Sequence, residues 1–173
     1  MTSQIPADLE SITPEWFTQT LTAAGVINGT LITAIESERL GEGQGFTGQV
    51  IRFRLTYQMF KENAPKSIIA KISHPDPGLR KELSDGNFYK REINFYKKIA
   101  NKTDIRTPRC YYAALDEETG DSVLLLEDLQ NGRIGDTIRG CSGQEAERIA
   151  EYLVPLHAAW WENPELESMD WVS

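Results

Sequence analysis

Residues 41–59 read G-E-G-Q-G-F-T-G-Q-V-I-R-F-R-L-T-Y-Q-M, and the two halves of this stretch carry different instructions. The first half fits G-x-G-x-x-G-x-V at Gly43, Gly45, Gly48 and Val50. Glycines without Cβ let backbone amides approach a phosphate chain closely. In the second half Ile51, Phe53, Leu55, Tyr57 and Met59 are apolar, while Arg52, Arg54, Thr56 and Gln58 are polar. That is strict period two, the pattern of a half-buried strand. A dinucleotide-binding Rossmann loop must run into a helix whose N-terminus holds the pyrophosphate. This loop runs into a strand, which sets aside an oxidoreductase of that fold. Taken alone, the pattern also fits a glycine-rich hairpin that holds no ligand.

Upstream, Thr13-Pro14-Glu15 starts a helix: a hydroxyl N-cap, proline in the first turn and an acid near the positive end of the dipole. That helix closes at Gly25, and Leu31–Leu40 reads as a strand rich in Ile and Thr. Downstream, Asn63-Ala64-Pro65 turns the chain into a third strand at 67–72. His74-Pro75-Asp76-Pro77-Gly78 is breaker chemistry, and a helix is expected from Ser84 or Asp85 to Ala100. A fourth strand opens at Thr107-Pro108 and runs to Leu115, and a fifth covers 122–126. Ser142 with Glu145 is a capping box for a last helix that runs to about Trp161. The order β-β-β-α-β-β, then helices, predicts an α+β fold: a five-stranded antiparallel sheet with one packed helix.

The 173 residues carry a formal net charge of −8, with 40% apolar and 25% charged residues, the profile of one ordinary domain with a core of useful size. No apolar run approaches the ~18 residues of a membrane span, and the N-terminal segment has neither a basic end nor an apolar signal core. Two cysteines, Cys110 and Cys141, cannot build a disulfide framework or a metal cluster. A cytoplasmic protein with no membrane partner is therefore expected. Charge is unevenly spread. Residues 80–109 carry nine basic and four acidic groups, whereas residues 110–173 carry three and fourteen. An overall acidic balance argues against a nucleic-acid partner. The basic stretch reads either as the wet face of one helix or as part of a hold on an anionic ligand.

Lys71 carries more information. It lies in I-I-A-K-I, a strand too apolar to be an exposed edge, and a buried lone charge is expensive. On the next helix Phe88, Phe95, Tyr96 and Ile99 form one apolar stripe at 100° per residue, and Glu92 falls within it. The simplest solution pairs Glu92 with Lys71 and directs the ammonium to phosphate oxygens.

The glycine loop, the I-I-A-K strand, the F-Y-K-R-E-I-N-F-Y helix and the L-L-L-E-D-L strand end occur in the order of a protein-kinase-like N-terminal lobe. In detail they resemble the aminoglycoside and choline kinase-like phosphotransferases, and among these the ecdysteroid kinase-like branch. G-F-T-G, L-L-L-E-D-L and the later L-H-A-A-W-W are typical of that branch. The resemblance implies an ATP-binding lobe. Gly43, Gly45 and Gly48 would cover the triphosphate, Val50 and Ile69 would pack on adenine, and Lys71, oriented by Glu92, would hold the α- and β-phosphates. Glu127 and Leu129 would meet the adenine edge through a main-chain carbonyl and amide. It divides the chain into an N-terminal helix and lead-in (1–30), the nucleotide-binding lobe (31–129), and a linker with the start of an incomplete, truncated C-terminal lobe (130–173).

The departure from the family pattern is as informative. Phosphoryl transfer needs an Asp to receive the substrate proton and Asn and Asp ligands for magnesium, which the family supplies in and after a His-Gly-Asp segment. Here His74 lies in H-P-D-P-G and His157 in L-H-A, and both read as structural. No catalytic residue and no metal ligand is therefore assigned, and magnesium is expected only for the intact family. The expected function is the ATP-binding lobe of a phosphotransferase acting on a small-molecule hydroxyl, inactive as this chain. The alternative is a non-catalytic nucleotide-binding or interaction module. A small-molecule acceptor would bind only with a second lobe supplied. The apolar face of the last helix, with Ile149, Leu153, Leu156, Ala159 and Trp160, is expected to stay open and to support self-association or pairing.

Overall fold

The computed structural model describes residues 5, 6, 8–41, 46–130, 132, 135 and 138–172. The strands are β1 (Ile32–Leu40), β2 (Gly48–Tyr57), β3 (Ser67–Ser73), β4 (Cys110–Leu115) and β5 (Ser122–Glu127). They form one antiparallel sheet in the order β1-β2-β3-β5-β4. The alternation after the glycine loop therefore builds an inner strand, flanked by β1 and β3.

Alternation sorts the side chains onto two faces. Ile51 and Phe53 of β2, Ile68 and Ala70 of β3, and Val123 and Leu125 of β5 are buried together on one face, under Phe17 and Leu21. Those two residues belong to α1 (Pro14–Ala23), which starts as its sequence predicts: the Thr13 hydroxyl accepts from the Trp16 amide at 3.2 Å. Phe17 meets Phe53 edge to face, with ring centroids 5.1 Å apart. On the opposite face Ile69, Leu124 and Leu126 lie under Ile93 and Tyr96. The candidate site lies on this second face.

The helix expected from 84 or 85 to 100 is two helices. The breaker run H-P-D-P-G begins the first, α2 (Pro77–Asp85), because the Asp76 carboxylate accepts from the Leu79 amide and proline occupies the first turn. Asn87 then takes a left-handed conformation (φ 60°) and separates α2 from α3 (Phe88–Asn94). α3 continues into a wide turn, Phe95–Ile99, where the Ala100 amide reaches back five residues to the Phe95 carbonyl. This turn shifts the helical phase. Tyr89 and Ile93 become the buried face of α3, Phe88 is exposed, and Ile99 turns to a separate cluster with Trp160 and Trp171. The single stripe through Phe88, Phe95, Tyr96 and Ile99 is thereby corrected.

The last helix, α4 (Gly143–Trp160), starts on the expected capping box, in which the Ser142 hydroxyl accepts from the Glu145 amide and the Glu145 carboxylate accepts from the Ser142 amide. Its predicted open face is partly covered. The segment after it folds back, so that Trp160 packs with Ile99 and Trp171, and Leu156 packs against this cluster. The basic stretch supplies the attachment. Lys90 pairs with Asp170 at 3.1 Å, Lys102 pairs with Glu165, and the ammonium groups of Lys98 and Lys102 sit over the rings of Trp171 and Trp160. Much of the basic 80–109 segment thus answers the acidic end of the same chain. Ile149, Tyr152, Val154 and Trp161 remain exposed.

Candidate functional site

Register sets the site. Val50, Lys71 and Leu124 are partners across β2, β3 and β5, so their side chains share one face. α3 lies over that face through Ile93, and the neighbouring Glu92 reaches back to β3. The Lys71 ammonium donates to the Glu92 carboxylate, the pairing expected from sequence. Lys71 is 33% and Glu92 38% exposed, so the ion pair stays open to water and to an incoming ligand.

A cavity of about 220 Å³ lies beside this pair, lined among others by Phe46, Gly48, Val50, Lys71, Tyr89 and Glu92. Gly43 and Gly45 lie outside the described residues. Gly48 has a reason to be glycine that needs no ligand: a Cβ there would penetrate the main-chain carbonyl of Ile72 on β3. Tyr89, which no sequence motif singles out, clamps the mouth. Its hydroxyl donates to the Thr47 carbonyl at 2.8 Å and accepts from the His74 amide at 3.0 Å. One buried phenol thus ties α3, the glycine loop and the end of β3 together. Burial pushes its pKa up, so it remains a donor at neutral pH.

Ile69 lies two residues from Lys71 on the same face, opposite Leu126. Glu127 and Leu129 lie at the far end of that face, where β5 ends. The Glu127 carboxylate, to which the sequence motifs assign no role, accepts from both terminal nitrogens of Arg106 and from the Arg109 amide. The Arg106 hydrogen bonds hold its pKa below the ordinary carboxylate value. Leu129 is exposed. Between them Asp128 is buried against Arg52, a residue whose alternation suggested a solvated position. The available signal was register: Arg52 lies opposite Ile69, on the Lys71 face, where a cation needs a partner.

A sequence profile of the ecdysteroid kinase-like family matches residues 42–165, which takes in the glycine loop, Lys71, Glu92, the end of β5 and α4. The chain belongs to the ecdysteroid kinase-like family. No curated protein and no solved structure matches it.

Family membership implies a kinase-like phosphotransferase, and the site can be tested against its nucleotide. Lys71 has ammonium protons beyond the one given to Glu92, and it borders a cavity large enough for phosphate groups. The apolar Val50, Ile69 and Leu126 continue along the sheet as a flat surface. These residues fit a triphosphate at one end and a base at the other. The two histidines take no part: His74 Nδ1 accepts from the Asp76 amide, and His157 is exposed on α4. Among the described residues no group of three or more His, Cys, Asp or Glu side chains is placed to hold a metal ion. None of the described helices is long and apolar enough to cross a membrane.

Proposed function

We propose that residues 31–129 are the ATP-binding lobe of a phosphotransferase that acts on a small-molecule hydroxyl, preceded by a lead-in (1–30) and followed by a linker and the first helices of a second lobe (130–173). The observation that carries this reading is the Lys71–Glu92 pair beside the cavity under Phe46–Val50. ATP supplies the phosphoryl group, which passes to a hydroxyl to give a phosphate ester and ADP. Lys71 holds the α- and β-phosphates, and Glu92 fixes the ammonium in place. Gly43, Gly45 and Gly48 cover the phosphates, Val50 and Ile69 pack on adenine, and the Glu127 carbonyl and Leu129 amide meet its edge.

The 173 residues hold no His-Gly-Asp segment, so the acceptor base and the magnesium ligands of the family pattern are not assigned to any of them. The lobe alone binds nucleotide without turning it over, and a cytoplasmic location belongs to the same proposal. Calorimetric titration with ATP tests the reading, with Lys71→Met as the control. ATP binding that survives Lys71→Met would overturn it.

The exposed Ile149, Tyr152, Val154 and Trp161 favour a second reading, a non-catalytic interaction module that keeps the nucleotide grip. Light scattering measures self-association. Adding a separately produced second lobe and assaying phosphate transfer discriminates between the two readings.

A further inference from the structure

Glu127 and Asp128 are neighbours in sequence, and their carboxylates are held on opposite sides. Glu127 is taken by Arg106 at 3.0 and 3.1 Å and by the Arg109 amide at 3.0 Å, ahead of β4. Asp128 accepts from Arg52 Nε at 2.8 Å and Nη2 at 3.3 Å, from the Ser67 hydroxyl at 2.8 Å and from Gln130 Nε2 at 3.5 Å. Gln130 also donates to the Ser67 hydroxyl at 2.7 Å, and Arg52 reaches on to Glu38 at 3.3 Å. The Asp128 side chain is 3% exposed. The cluster therefore joins β1, β2, β3 and the segment that leaves β5.

Stability is a poor reason for such an arrangement. A buried ion pair is often no better than apolar residues of the same volume, whereas its geometry is specific. What this geometry fixes is the main chain between the two anchors. A base edge is read by a donor and an acceptor at fixed separation, and adenine and guanine present opposite patterns at the positions concerned. A peptide free to turn would accept either base.

We propose that Asp128 is a positioning residue: with Arg52 and Ser67 it holds the main chain of Glu127–Leu129 in the one orientation that selects adenine. The inference rests on the proposed nucleotide-binding function and adds the device that gives it base selectivity.

The test titrates ATP, GTP and inorganic tripolyphosphate into the wild-type chain, Asp128→Asn and Arg52→Lys, and follows amide hydrogen exchange over residues 122–130. Asn keeps the shape but loses the charged bridge, and Lys cannot span both carboxylate oxygens. In Asp128→Asn, ATP affinity should fall about tenfold, with tripolyphosphate changed less than about twofold, so the preference for ATP over GTP drops about tenfold. Amides 128–130 should exchange faster while those of β5 stay protected, and Arg52→Lys should move each readout in the same direction. Equal weakening of ATP and tripolyphosphate, or an unchanged ATP-to-GTP ratio, would overturn the role. Wild-type binding of tripolyphosphate through Lys71 with no preference between ATP and GTP would overturn the selectivity inference alone. Wild-type binding of none of the three would overturn the proposed function itself, and the inference with it.

Discussion

The two faces of the sheet use the same strands for different ends. The face under α1 holds Ile51, Phe53, Ile68, Ala70, Val123 and Leu125, with no charged residue among them. The face under α3 holds Lys71, Arg52, Ile69, Leu124 and Leu126, and meets Glu92 and Asp128. On β3 the two sets interleave residue by residue. Period-two alternation thus lets a single seven-residue strand supply the core from one side and the chemistry from the other. Substitutions on the first face should change stability alone. Substitutions on the second should change binding more than stability.

The comparison is broken most sharply at Phe53. Phe53→Ala opens a cavity beside Phe17 and should cost about 3–5 kcal/mol, a fall in Tm of roughly 10 °C in thermal unfolding. Any nucleotide affinity measured well below the new Tm should be unchanged. On the opposite side, Tyr89→Phe removes one oxygen and leaves the Thr47 carbonyl and the His74 amide without that partner. A loss of about 1–3 kcal/mol is expected. ATP and tripolyphosphate binding should weaken together, because the glycine loop is what loosens. Unchanged affinity with lowered Tm would return Tyr89 to a purely structural role.

Acid sharpens the contrast within the second face. Burial of Asp128 opposes its ionisation, but the hydrogen bonds from Arg52 and Ser67 outweigh burial and hold its pKa below the ordinary 3.8. A depressed folded value means that its contribution is fully present above 3.8 and is lost as the pH falls through the folded value. Stability of the wild-type chain should therefore drop between about pH 4 and pH 2 more steeply than that of Asp128→Asn. Parallel pH profiles would refute the linkage.

Lys71→Met should change unfolding free energy by about 1 kcal/mol or less, since the pair is a third exposed, while ATP binding disappears. The smallest effect belongs to the carboxyl-terminal attachment. High salt should weaken Lys90–Asp170 and Lys102–Glu165 and raise iodide quenching of Trp160 and Trp171 slightly, with little movement of Tm. Strong salt-dependent unfolding would give these surface pairs more weight than their exposure allows.

Strand order, the capped start of α1, the capping box of α4 and the Lys71–Glu92 pair were legible because each rests on local spacing. Arg52 and Asp128 were not: seventy-six residues separate them, and only sheet register shows that Arg52 lies beside the end of β5. α2 was missed because proline and glycine after Asp76 read as breakers, although Asp-Pro is equally a helix start. The cover over Trp160 depends on a short segment whose acidic residues find lysines on α3 and just beyond the wide turn, a long-range match that no periodicity announces.

The wide turn at Phe95–Ile99 is also a device of length. Because it uses one residue more than an α-turn, the segment from Phe88 to Ala100 serves two clients, the sheet through Tyr89 and Ile93 and the Trp160 cluster through Ile99. Deleting a single residue between 95 and 99 would restore a regular helix and rotate everything after it by about 100°. Either Tyr96 or Ile99 would then leave its neighbours. Related sequences that carry a one-residue gap at this point should also have changed their partner for Trp160. Gain or loss of one codon in this turn would therefore rewire how the sheet and α3 meet the α4 region.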